Sequence, residues 1–243
     1  MKTKYNLQDA QYDFPYHHLV DLAKPAYAKK MVWGFEYAQY LRKVIKIVEK
    51  KAFNSLLDVG CGDGKLIFEL AKNNQVSRLV GLDLSERAIA FARAFNLANQ
   101  AEWFCGPLLE LKGQFEVITL IETLEHVSDD DIKPLLGEMS RLLAFDGLII
   151  VSVPTDVLPV SKKHYRHYNL PLLTGQLADF FKLEKFTYTA RYNWFYRFLI
   201  KFYGWFSGLG AANRLTGLLA DRFLSQADQK NGLHLIAVFK KNN

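Results

Sequence analysis

The chain of 243 residues is long enough for one well-buried domain with additions but short for two independent domains. Half of its residues are hydrophobic and 23% are charged, a balance that excludes an intrinsically disordered protein. Its two cysteines, Cys61 and Cys105, are too few for a disulfide framework or a cysteine zinc site. The net charge of +6 mildly favours nucleic acid, lipid headgroups or acidic metabolites as partners, without choosing among them.

The first fifty residues predict a helical cap rather than a targeting segment. Met1–Asp13 is polar and lacks the apolar core of a signal peptide, and no window of the chain holds 18 consecutive apolar residues. We therefore expect a cytoplasmic protein without a membrane span. Apolar residues at helical spacing between positions 26 and 51 predict that residues 1–53 cap a cofactor or substrate site. Within this cap, His17 and His18 are expected to pack rather than to do chemistry.

Residues 55–66 read Ser-Leu-Leu-Asp-Val-Gly-Cys-Gly-Asp-Gly-Lys-Leu, and we expect them to form a ligand site. The apolar run that ends at Val59 is typical of a strand buried on both faces, and glycines then alternate through a turn before a helix. A strand, a glycine turn and a helix in this order lie at the carboxyl edge of a parallel sheet. The next apolar run ends in Asp83, 19 residues after Gly64, where a carboxylate suits the two hydroxyls of a ribose.

Asp58 and the spacing of the glycines separate two classes of cofactor. Dinucleotide sites usually read G-x-G-x-x-G, because the helix N-terminus receives a pyrophosphate. Here the third glycine falls one residue early, and Asp58 would repel a pyrophosphate but attract a cation. The stretch resembles the first motif of class I S-adenosylmethionine-dependent methyltransferases, whose cofactor carries an amino group and a sulfonium. A glycine turn with no ligand and an NAD site are the alternatives.

The methyltransferase resemblance covers about Leu56–Val153. It implies a set of residues that contact S-adenosylmethionine: Asp58, Gly60, Cys61, Gly62, Gly64, Asp83 and Leu84. Methyltransferases often carry a Gly-Asp pair after the third strand, whose acid meets the adenine amino group. This chain has Gly106-Pro107 instead, so we expect the backbone or Glu110 to make that contact.

Alternating strand and helix patterns predict an α/β fold, a Rossmann-like, seven-stranded, mostly parallel doubly wound sheet in a single domain. Residues 54–155 form the predicted cofactor-binding core. Ser85 is a predicted N-cap, Ser128 and Asp131 form a capping-box pattern, and Asp146-Gly147 is a predicted turn. The resemblance implies two further strands, which we place at Lys185–Tyr188 and Leu233–Phe239.

Glu122, Glu125 and His126 follow the predicted fourth strand, where an acceptor would meet the methyl donor. We predict that His126 is a base or substrate contact, assisted by Glu125 or Glu122. The string Glu-Thr-Leu-Glu-His-Val resembles that of ubiquinone-pathway O-methyltransferases and small-RNA terminal 2′-O-methyltransferases. In those families the matching residues contribute to a divalent-metal site, in the RNA enzymes with another histidine from beyond the fifth strand. His164 and His167 lie where the resemblance places that histidine. Many methyltransferases with no known metal share the Glu-His pair, so the sequence leaves the metal open.

Residues 156–243 form the predicted substrate side. His164, Arg166 and His167 lie in a basic segment that would contact the substrate, or would be a solvated loop. A helical insertion at about 190–228 precedes the last predicted strand. Its aromatic stripe, with Arg197 and Lys201 opposite, would cover the substrate site or form a dimer contact, with a membrane interface as the alternative. The predicted stripe consists of Phe195, Phe198, Leu199, Phe202, Phe206 and Leu209.

Together these patterns predict an S-adenosylmethionine-dependent methyltransferase that O-methylates a small or lipid-linked metabolite. Metal-assisted RNA 2′-O-methylation is the second hypothesis, although no nucleic-acid-binding motif accompanies it. A protein that binds the cofactor for regulation without transferring its methyl group is the third. Peripheral contact with a membrane remains an alternative localisation, and the oligomeric state is left open.

Overall fold

The computed structural model describes residues 4–21, 27–28, 34–50, 53–72, 76–95, 101–206 and 210–242. The N-terminal region contains a short helix, a two-stranded antiparallel ribbon and a longer amphipathic helix. These elements are α1 (Lys4–Asp9), β1 (Val20–Asp21), β2 (Tyr27–Ala28) and α2 (Gly34–Glu49). The helix α2 buries the face that carries Leu41, Val44 and Val48, as its apolar spacing predicts.

Seven further strands form one sheet. They are β3 (Ser55–Val59), β4 (Arg78–Asp83), β5 (Ala101–Cys105), β6 (Phe115–Ile121), β7 (Leu143–Pro154), β8 (Phe181–Arg191) and β9 (Gly232–Lys241). The sheet order is β5-β4-β3-β6-β7-β9-β8. The first five of these strands run parallel, whereas β9 pairs antiparallel with both β7 and β8. The predicted Rossmann-like, mostly parallel, seven-stranded sheet is therefore confirmed.

The strand order reverses beside β3. From β3 the chain builds outward through β4 and β5, and it then returns to add β6 on the other side. Two adjacent connections that leave in opposite directions open a crevice at the carboxyl ends of β3 and β6. The glycine turn after Val59 and the acidic turn after Ile121 both lie at this crevice. The topology therefore brings the two predicted halves of the site together.

Helices cover both faces of the sheet. They are α3 (Lys65–Ala71), α4 (Glu86–Phe95), α5 (Asp129–Leu142), α6 (Leu170–Leu177), α7 (Trp194–Phe206) and α8 (Gly210–Phe223). Successive residues of a strand alternate between two apolar cores: Leu56 packs with α2, α3, α7 and α8, whereas Leu57 packs with α5 and α6. Burial on both faces explains why the central strands read as continuous apolar runs.

Local signals fix several element boundaries. The Ser85 hydroxyl accepts a hydrogen bond from the Ala88 backbone at 3.2 Å and begins α4, as predicted. Ser128 is the N-cap of α5, and its hydroxyl donates a hydrogen bond to Asp131. The predicted turn at Asp146-Gly147 instead lies inside β7, where the pairing with β6 jumps between Leu143 and Leu148. The irregular pairing between Leu143 and Leu148 explains why the sequence of this part of β7 resembles that of a turn.

The insertion between β8 and β9 is a pair of helices, and the predicted stripe of α7 is only partly buried. The buried line of α7 consists of Tyr196, Leu199 and Tyr203, whereas Phe198 is 52% exposed. Arg197 and Lys201 are also exposed. The predicted stripe also included Leu209, which lies outside the described residues, and the Phe206 side chain, which is not described. Among the described residues, no helix is long and apolar enough to cross a membrane.

Gly64 joins the glycine turn to α3 in a conformation that other residues rarely adopt. Its φ is +80°, and a Cβ at this position would lie 2.5 Å from the indole of Trp103 on β5. The indole fills the space beneath the turn, so that the loop can approach the sheet closely. Gly64 is therefore required by packing.

We expect Gly64→Ala to destabilise the fold by about 2–4 kcal/mol, because it adds left-handed strain to overpacking against Trp103. Urea unfolding followed by circular dichroism measures this change. The matched control is Gly175→Ala in α6, where nothing lies within 4 Å of the added methyl group. That change should leave the fold unaltered or stabilise it by up to about 1 kcal/mol. Equal stability of the two variants would contradict the packing role of Gly64.

Candidate active site

A cavity of about 820 Å³ lies at the carboxyl ends of β3, β4 and β6, beneath α1 and the segment that follows it. Most of the predicted site residues line it: Asp58, Gly60, Cys61, Gly62, Asp83, Leu84, Glu122, Glu125, His126 and His164. Three of the predicted residues do not line it, namely Gly64, Arg166 and His167. The cavity is in the upper part of the range of about 300–1,000 Å³ that is usual for small-molecule sites.

Asp83 ends β4 and is held by the backbone of the glycine turn. Its Oδ2 accepts a hydrogen bond from the Gly62 N–H at 2.9 Å, and its Oδ1 accepts one from the Ser85 N–H at 2.9 Å. Burial raises the pKa of Asp83, and these backbone donors oppose that rise. A carboxylate can accept about four hydrogen bonds. Asp83 is thus fixed in place with acceptor capacity left for a pair of ligand hydroxyls.

Asp58 lies in β3, just before the glycine turn, and is buried within the sheet. Its Oδ1 accepts a hydrogen bond from the Thr119 hydroxyl of β6 at 2.7 Å. Burial raises the pKa of Asp58 to about 7, although the Thr119 hydrogen bond lowers it. A cationic ligand at the glycine turn would favour the ionised form of this carboxyl group.

The end of β5 contributes backbone and apolar surface to the cavity. Gly106, Pro107 and Leu108 line this side together with Leu84 of the preceding strand. Glu110 does not line the cavity and is exposed to solvent. The sequence predicted that either the backbone or Glu110 replaces the acid that methyltransferases often carry after this strand. The geometry favours the backbone.

A buried charge cluster ties the N-terminal segment to the glycine turn. Asp63 is fully buried and accepts hydrogen bonds from the backbone N–H of His17 at 3.0 Å and from its Nδ1 at 2.9 Å. The Nε2 atom of His18 lies 2.9 Å from the Asp63 carbonyl oxygen. Burial alone would raise the pKa of Asp63, but His17 and His18 outweigh it and lower this pKa. The two histidines therefore fasten the cover of the cavity, and His17 also lines it.

A second buried cluster, Glu122, His234 and Glu36, closes the opposite end of the cavity. Glu122 has a φ of +53°, and its carboxylate accepts hydrogen bonds from Ser152 at 2.6 Å and from His234 Nδ1 at 3.1 Å. The His234 Nε2 atom lies 3.6 Å from Glu36, which accepts a hydrogen bond from the Tyr196 hydroxyl of α7. Glu122 is thus held as a partner of a cation, and not as a free base.

The charge of His234 follows from its two neighbours. Burial by itself lowers the pKa of His234, but the carboxylates of Glu122 and Glu36 outweigh it and raise this pKa to about 10. Burial would likewise raise the pKa of Glu122, and His234 reverses that shift. At neutral pH the cluster therefore contains an imidazolium between two carboxylates.

Glu125, His126 and His164 form a third cluster between the two ends. One oxygen or nitrogen of each side chain lies within 4.8 Å of the others. His126 Nδ1 lies 3.2 Å from the Lys163 carbonyl oxygen, which can only accept, so the proton is on Nδ1 and the lone pair is on Nε2. Burial, followed by the Lys163 ammonium, lowers the pKa of His126 to about 4, so it is neutral at pH 7.

The same reasoning fixes the tautomer of His164. His167 Nδ1 lies 2.9 Å from the Leu158 carbonyl oxygen and must donate to it, which leaves a lone pair on His167 Nε2. His164 Nδ1 lies 2.9 Å from that atom and donates to it, so the lone pair of His164 is on Nε2. Burial, followed by His126, lowers the pKa of His164 to about 3. His167 therefore orients His164 from outside the cavity.

The donor atoms of this third cluster fit a cation. Glu125 is 1% exposed, and its Oε2 has no hydrogen-bond partner among the described residues. Burial, followed by the charge of Glu122, raises the pKa of Glu125 well above its usual range. A divalent cation would remove that penalty and use the two imidazole lone pairs, since carboxylate and imidazole are common ligands of divalent metals.

The prediction that Arg166 contacts substrate does not agree with its position. Its guanidinium donates hydrogen bonds to the Val127 carbonyl at 2.7 Å and to Asp129 at 2.8 Å. These contacts bind the basic segment to the start of α5 and turn the charge away from the cavity. His167 is likewise a support for His164, for the geometric reason given above. Of the three predicted substrate residues, only His164 lines the cavity.

Sequence reasoning missed several residues that line the cavity. The N-terminal segment and α2 contribute an aromatic wall of Tyr12, Tyr16, Tyr37 and Tyr40, and β9 contributes His234. One signal for His234 was in the sequence, since a histidine interrupts an apolar strand that is otherwise buried. Tyr37 and Tyr40 carried no comparable signal, because their spacing in α2 fits an ordinary buried helix face.

Comparisons with known proteins agree with this architecture. Residues 56–147 match the family described as "Methyltransferase domain". The mitochondrial ubiquinone biosynthesis O-methyltransferase of Saccharomyces cerevisiae is 32% identical over 137 residues, which are 49% of this chain and 44% of that protein. The ubiquinone biosynthesis O-methyltransferase of Idiomarina loihiensis is 36% identical over 103 residues, which are 40% of this chain and 41% of that protein. The chain spans about half the length of the curated relatives it matches.

The fold also resembles solved structures over its whole length. The N-methyltransferase NodS of Bradyrhizobium japonicum WM9, solved with S-adenosyl-L-homocysteine, superposes with a TM-score of 0.66. The match covers 100% of both chains at 15% sequence identity. At that identity the likeness concerns the fold alone.

The charge of His234 predicts a pH-dependent contribution to stability. Because the folded-state pKa of about 10 exceeds the value of about 6.5 in an unfolded chain, ionised His234 stabilises the fold below about pH 6.5. That stabilisation is lost as the pH rises through about 10. The unfolding free energies of the parent and His234→Gln should therefore differ most near pH 6 and converge towards pH 10, as measured by urea unfolding.

His18 supplies a control with the opposite sign. Burial lowers the pKa of His18, so its neutral form stabilises the fold above the unfolded pKa, and this contribution falls as the pH drops below it. The difference between the parent and His18→Gln should therefore shrink on the acidic side. A His234→Gln difference that stays constant from pH 6 to pH 10 would contradict the buried imidazolium.

Proposed function

We propose that the chain is a class I S-adenosylmethionine-dependent methyltransferase, since residues 56–147 match the family described as a methyltransferase domain. Its reaction would be methylation of a hydroxyl group on a small or lipid-linked metabolite. The observation that carries the proposal is the cavity that joins Asp83 and the glycine turn to the cluster of Glu125, His126 and His164. The proposed donor and acceptor sites would thus share one cavity.

The donor half of the cavity fits S-adenosylmethionine. Asp83 would bind the ribose hydroxyls with its remaining acceptor capacity, and Gly60 and Gly62 would border the methionine part. Asp58 would attract the positive charge of the amino group or the sulfonium. The apolar surface of Leu84, Pro107 and Leu108 suits an adenine ring. No phosphate group is expected in this site, because buried carboxylates line it.

Bound S-adenosylmethionine supplies a methyl group on a sulfonium, which a nucleophile displaces in line. The leaving group is already good, so the protein contributes mainly by positioning the acceptor and excluding water. The N-terminal segment supports this role, since Tyr5 donates a hydrogen bond to the Leu84 carbonyl at 3.0 Å above the cavity. Lys163 similarly donates to Gln11 at 3.0 Å across its other side. Both contacts hold the cover over the site.

The acceptor half favours a hydroxyl that is acidified before transfer. An ordinary phenol has a pKa near 10, so giving its proton to His126, with a pKa of about 4, would be uphill by about 8 kcal/mol. His126 alone is therefore a poor base for such an acceptor. We propose that Glu125, His126 and His164 hold a divalent cation, which would supply that acidification. The tautomers set by Lys163 and His167 leave the required lone pairs free.

The relatives support O-methylation over other acceptor atoms. Two of the curated relatives, at 32% and 36% identity, are named ubiquinone biosynthesis O-methyltransferases. The tyrosine-rich wall of the cavity suits an aromatic or partly apolar acceptor. Because the matched segments cover about half of each relative, the acceptor of this chain is not carried over from their names.

Methylation of RNA is the second candidate, because Glu125, His126 and His164 belong to the residues that the resemblance to small-RNA 2′-O-methyltransferases implies as metal ligands. The resemblance also implies Glu122, which instead contacts His234. The contacts of the basic residues at the cavity disfavour this candidate. Lys4 and Lys163, two basic residues at the cavity, are used in contacts to His164 and Gln11, respectively. A long polyanion needs an open basic surface beside the acceptor site.

Binding of the donor should depend on Asp83. We expect S-adenosylhomocysteine to raise the melting temperature of the parent protein and of the control Glu110→Ala, whose side chain lies outside the cavity. Asp83→Ala should lose that stabilisation, because the ribose hydroxyls lose their acceptor. NAD should stabilise none of the three proteins. Stabilisation by NAD but not by S-adenosylhomocysteine, measured by differential scanning fluorimetry, would overturn the donor assignment.

Transfer should depend on the third cluster. Incubation with methyl-labelled S-adenosylmethionine and a cell extract, followed by fractionation, should give label in the lipid or small-molecule fraction. His126→Ala and Glu125→Gln should reduce that label by about 10²–10⁴-fold while S-adenosylhomocysteine still binds. A chelator should have the same effect, and added Mg²⁺ or Mn²⁺ should restore the label.

Two other outcomes of the labelling experiment, and one result in cells, would contradict parts of the proposal. Label only in RNA would favour the second candidate. Transfer that is unchanged by a chelator and by His126→Ala would remove the metal. Full function in cells with both cluster variants, combined with loss of function in Asp83→Ala, would indicate a regulatory protein that binds the donor without transferring its methyl group.

A further inference from the structure

The outer surface of the α7–α8 pair carries a group of exposed apolar side chains. Large hydrophobic residues are ordinarily scattered singly on a surface, and groups of them mark sites of interaction. The exposed fractions in this group range from 48% for Leu215 to 79% for Trp205. The group consists of Trp194, Phe198, Trp205, Leu215, Leu218 and Phe223. We refer to these six residues as the outer patch.

The aromatic members of the outer patch on α7 lie along one line. At 3.6 residues per turn, Trp194, Phe198 and Trp205 fall within roughly 40° of one another around the helix axis. The opposite side of α7 is the one that packs into the protein, through Tyr196, Leu199 and Tyr203. The Phe195 and Phe223 rings meet edge to face at 5.4 Å and join α7 to α8. The two helices that carry the patch therefore pack against each other.

Positive charge surrounds the outer patch. Arg197, Lys201, Arg214 and Arg222 are exposed on the same two helices, and none of them forms an ion pair within the part of the chain that the structure describes. The sequence of α7 contains no acidic residue, and the single acid of α8, Asp221, is paired with Arg42. Tryptophan and phenylalanine flanked by unpaired lysine and arginine are the composition of helices that lie in a membrane interface.

We infer that the outer patch docks on the surface of an anionic lipid bilayer. Its aromatic side chains would enter the boundary between headgroups and acyl chains, and the four basic residues would face the anionic headgroups. A second copy of the chain is a weaker occupant, because an isologous interface would bring the same uncompensated basic residues together.

The placement of the patch relates docking to the active site. Tyr196, on the inner side of α7, donates a hydrogen bond to Glu36, which lines the cavity beside Tyr40 and His234. Docking through the outer side of α7 would therefore bring this end of the cavity towards the bilayer. A lipid-linked acceptor could then reach the site from the membrane. The docking itself does not depend on the proposed function.

Co-sedimentation with vesicles tests the inference on the full chain. The parent should bind vesicles that contain phosphatidylglycerol and should bind pure phosphatidylcholine vesicles much less. Substitution of Trp194, Phe198 and Trp205 by serine should reduce the bound fraction by at least about tenfold, because the inserted apolar surface is lost. Arg197→Gln with Lys201→Gln should weaken binding to the anionic vesicles and reduce its dependence on salt.

The matched control replaces exposed apolar residues elsewhere. Phe145 and Leu109 are 81% and 69% exposed and lie outside the α7–α8 pair, so Phe145→Ser with Leu109→Ser should leave vesicle binding unchanged. Unchanged melting temperatures would show that each variant is folded. Three results would overturn the inference: no binding of the parent to anionic vesicles, equal losses in patch and control variants, or a dimer of the parent in sedimentation velocity that the patch variant abolishes.

Discussion

The buried carboxylate of Asp63 is the constraint on which the enclosed site depends. It lies within the glycine turn, fully shielded from water, where an uncompensated charge would be costly. The backbone N–H and the Nδ1 atom of His17 donate hydrogen bonds to it from the N-terminal segment. His18 contacts the carbonyl oxygen of the same residue, and these contacts join the turn to the cover of the cavity. The turn cannot keep its charge buried without this segment. The same contacts fix the position of the N-terminal segment.

A second buried charge cluster has the same effect at the acceptor end. Glu122, His234 and Glu36 come from β6, β9 and α2, and Tyr196 of α7 adds a hydrogen bond. Together they connect the sheet to the N-terminal helix and to the inserted helices. The left-handed conformation of Glu122 is held by these partners, as is typical of strained residues at functional sites. Between the two clusters, Glu125, His126 and His164 remain available for an acceptor.

The sequence was sufficient for the parts of the fold and site that depend on local patterns. Apolar runs predicted the strands of the core, and the glycine spacing with Asp83 predicted where a ligand would bind. The buried clusters could not be predicted in this way, because His17 is 46 residues from Asp63 and Glu122 is 112 residues from His234. The same limit explains why the sequence predicted that Arg166 contacts substrate. Only the fold shows that its guanidinium donates hydrogen bonds to backbone carbonyl groups in the turn before α5.

The orientation of α7 shows a different limit of pattern reading. The helix carries apolar or aromatic side chains around most of its circumference, so its sequence places Arg197 and Lys201 outward without deciding which aromatic residues are buried. Tyr196 and Tyr203 face the protein, and the Tyr196 hydroxyl finds a buried partner in Glu36. Phenylalanine and tryptophan, which are more apolar than tyrosine, are consequently left at the surface. The exposed aromatic line is thus a result of the buried polar contact behind it.

A crystal structure with S-adenosylhomocysteine would show whether the donor and acceptor halves of the cavity serve one reaction. We predict that the ribose hydroxyls bind the Asp83 carboxylate and that the sulfur atom faces the space between Glu125, His126 and His164. Adenosine bound elsewhere, or a sulfur atom that points away from these three side chains, would contradict the account. The donor and acceptor halves of the cavity would then not belong to one reaction.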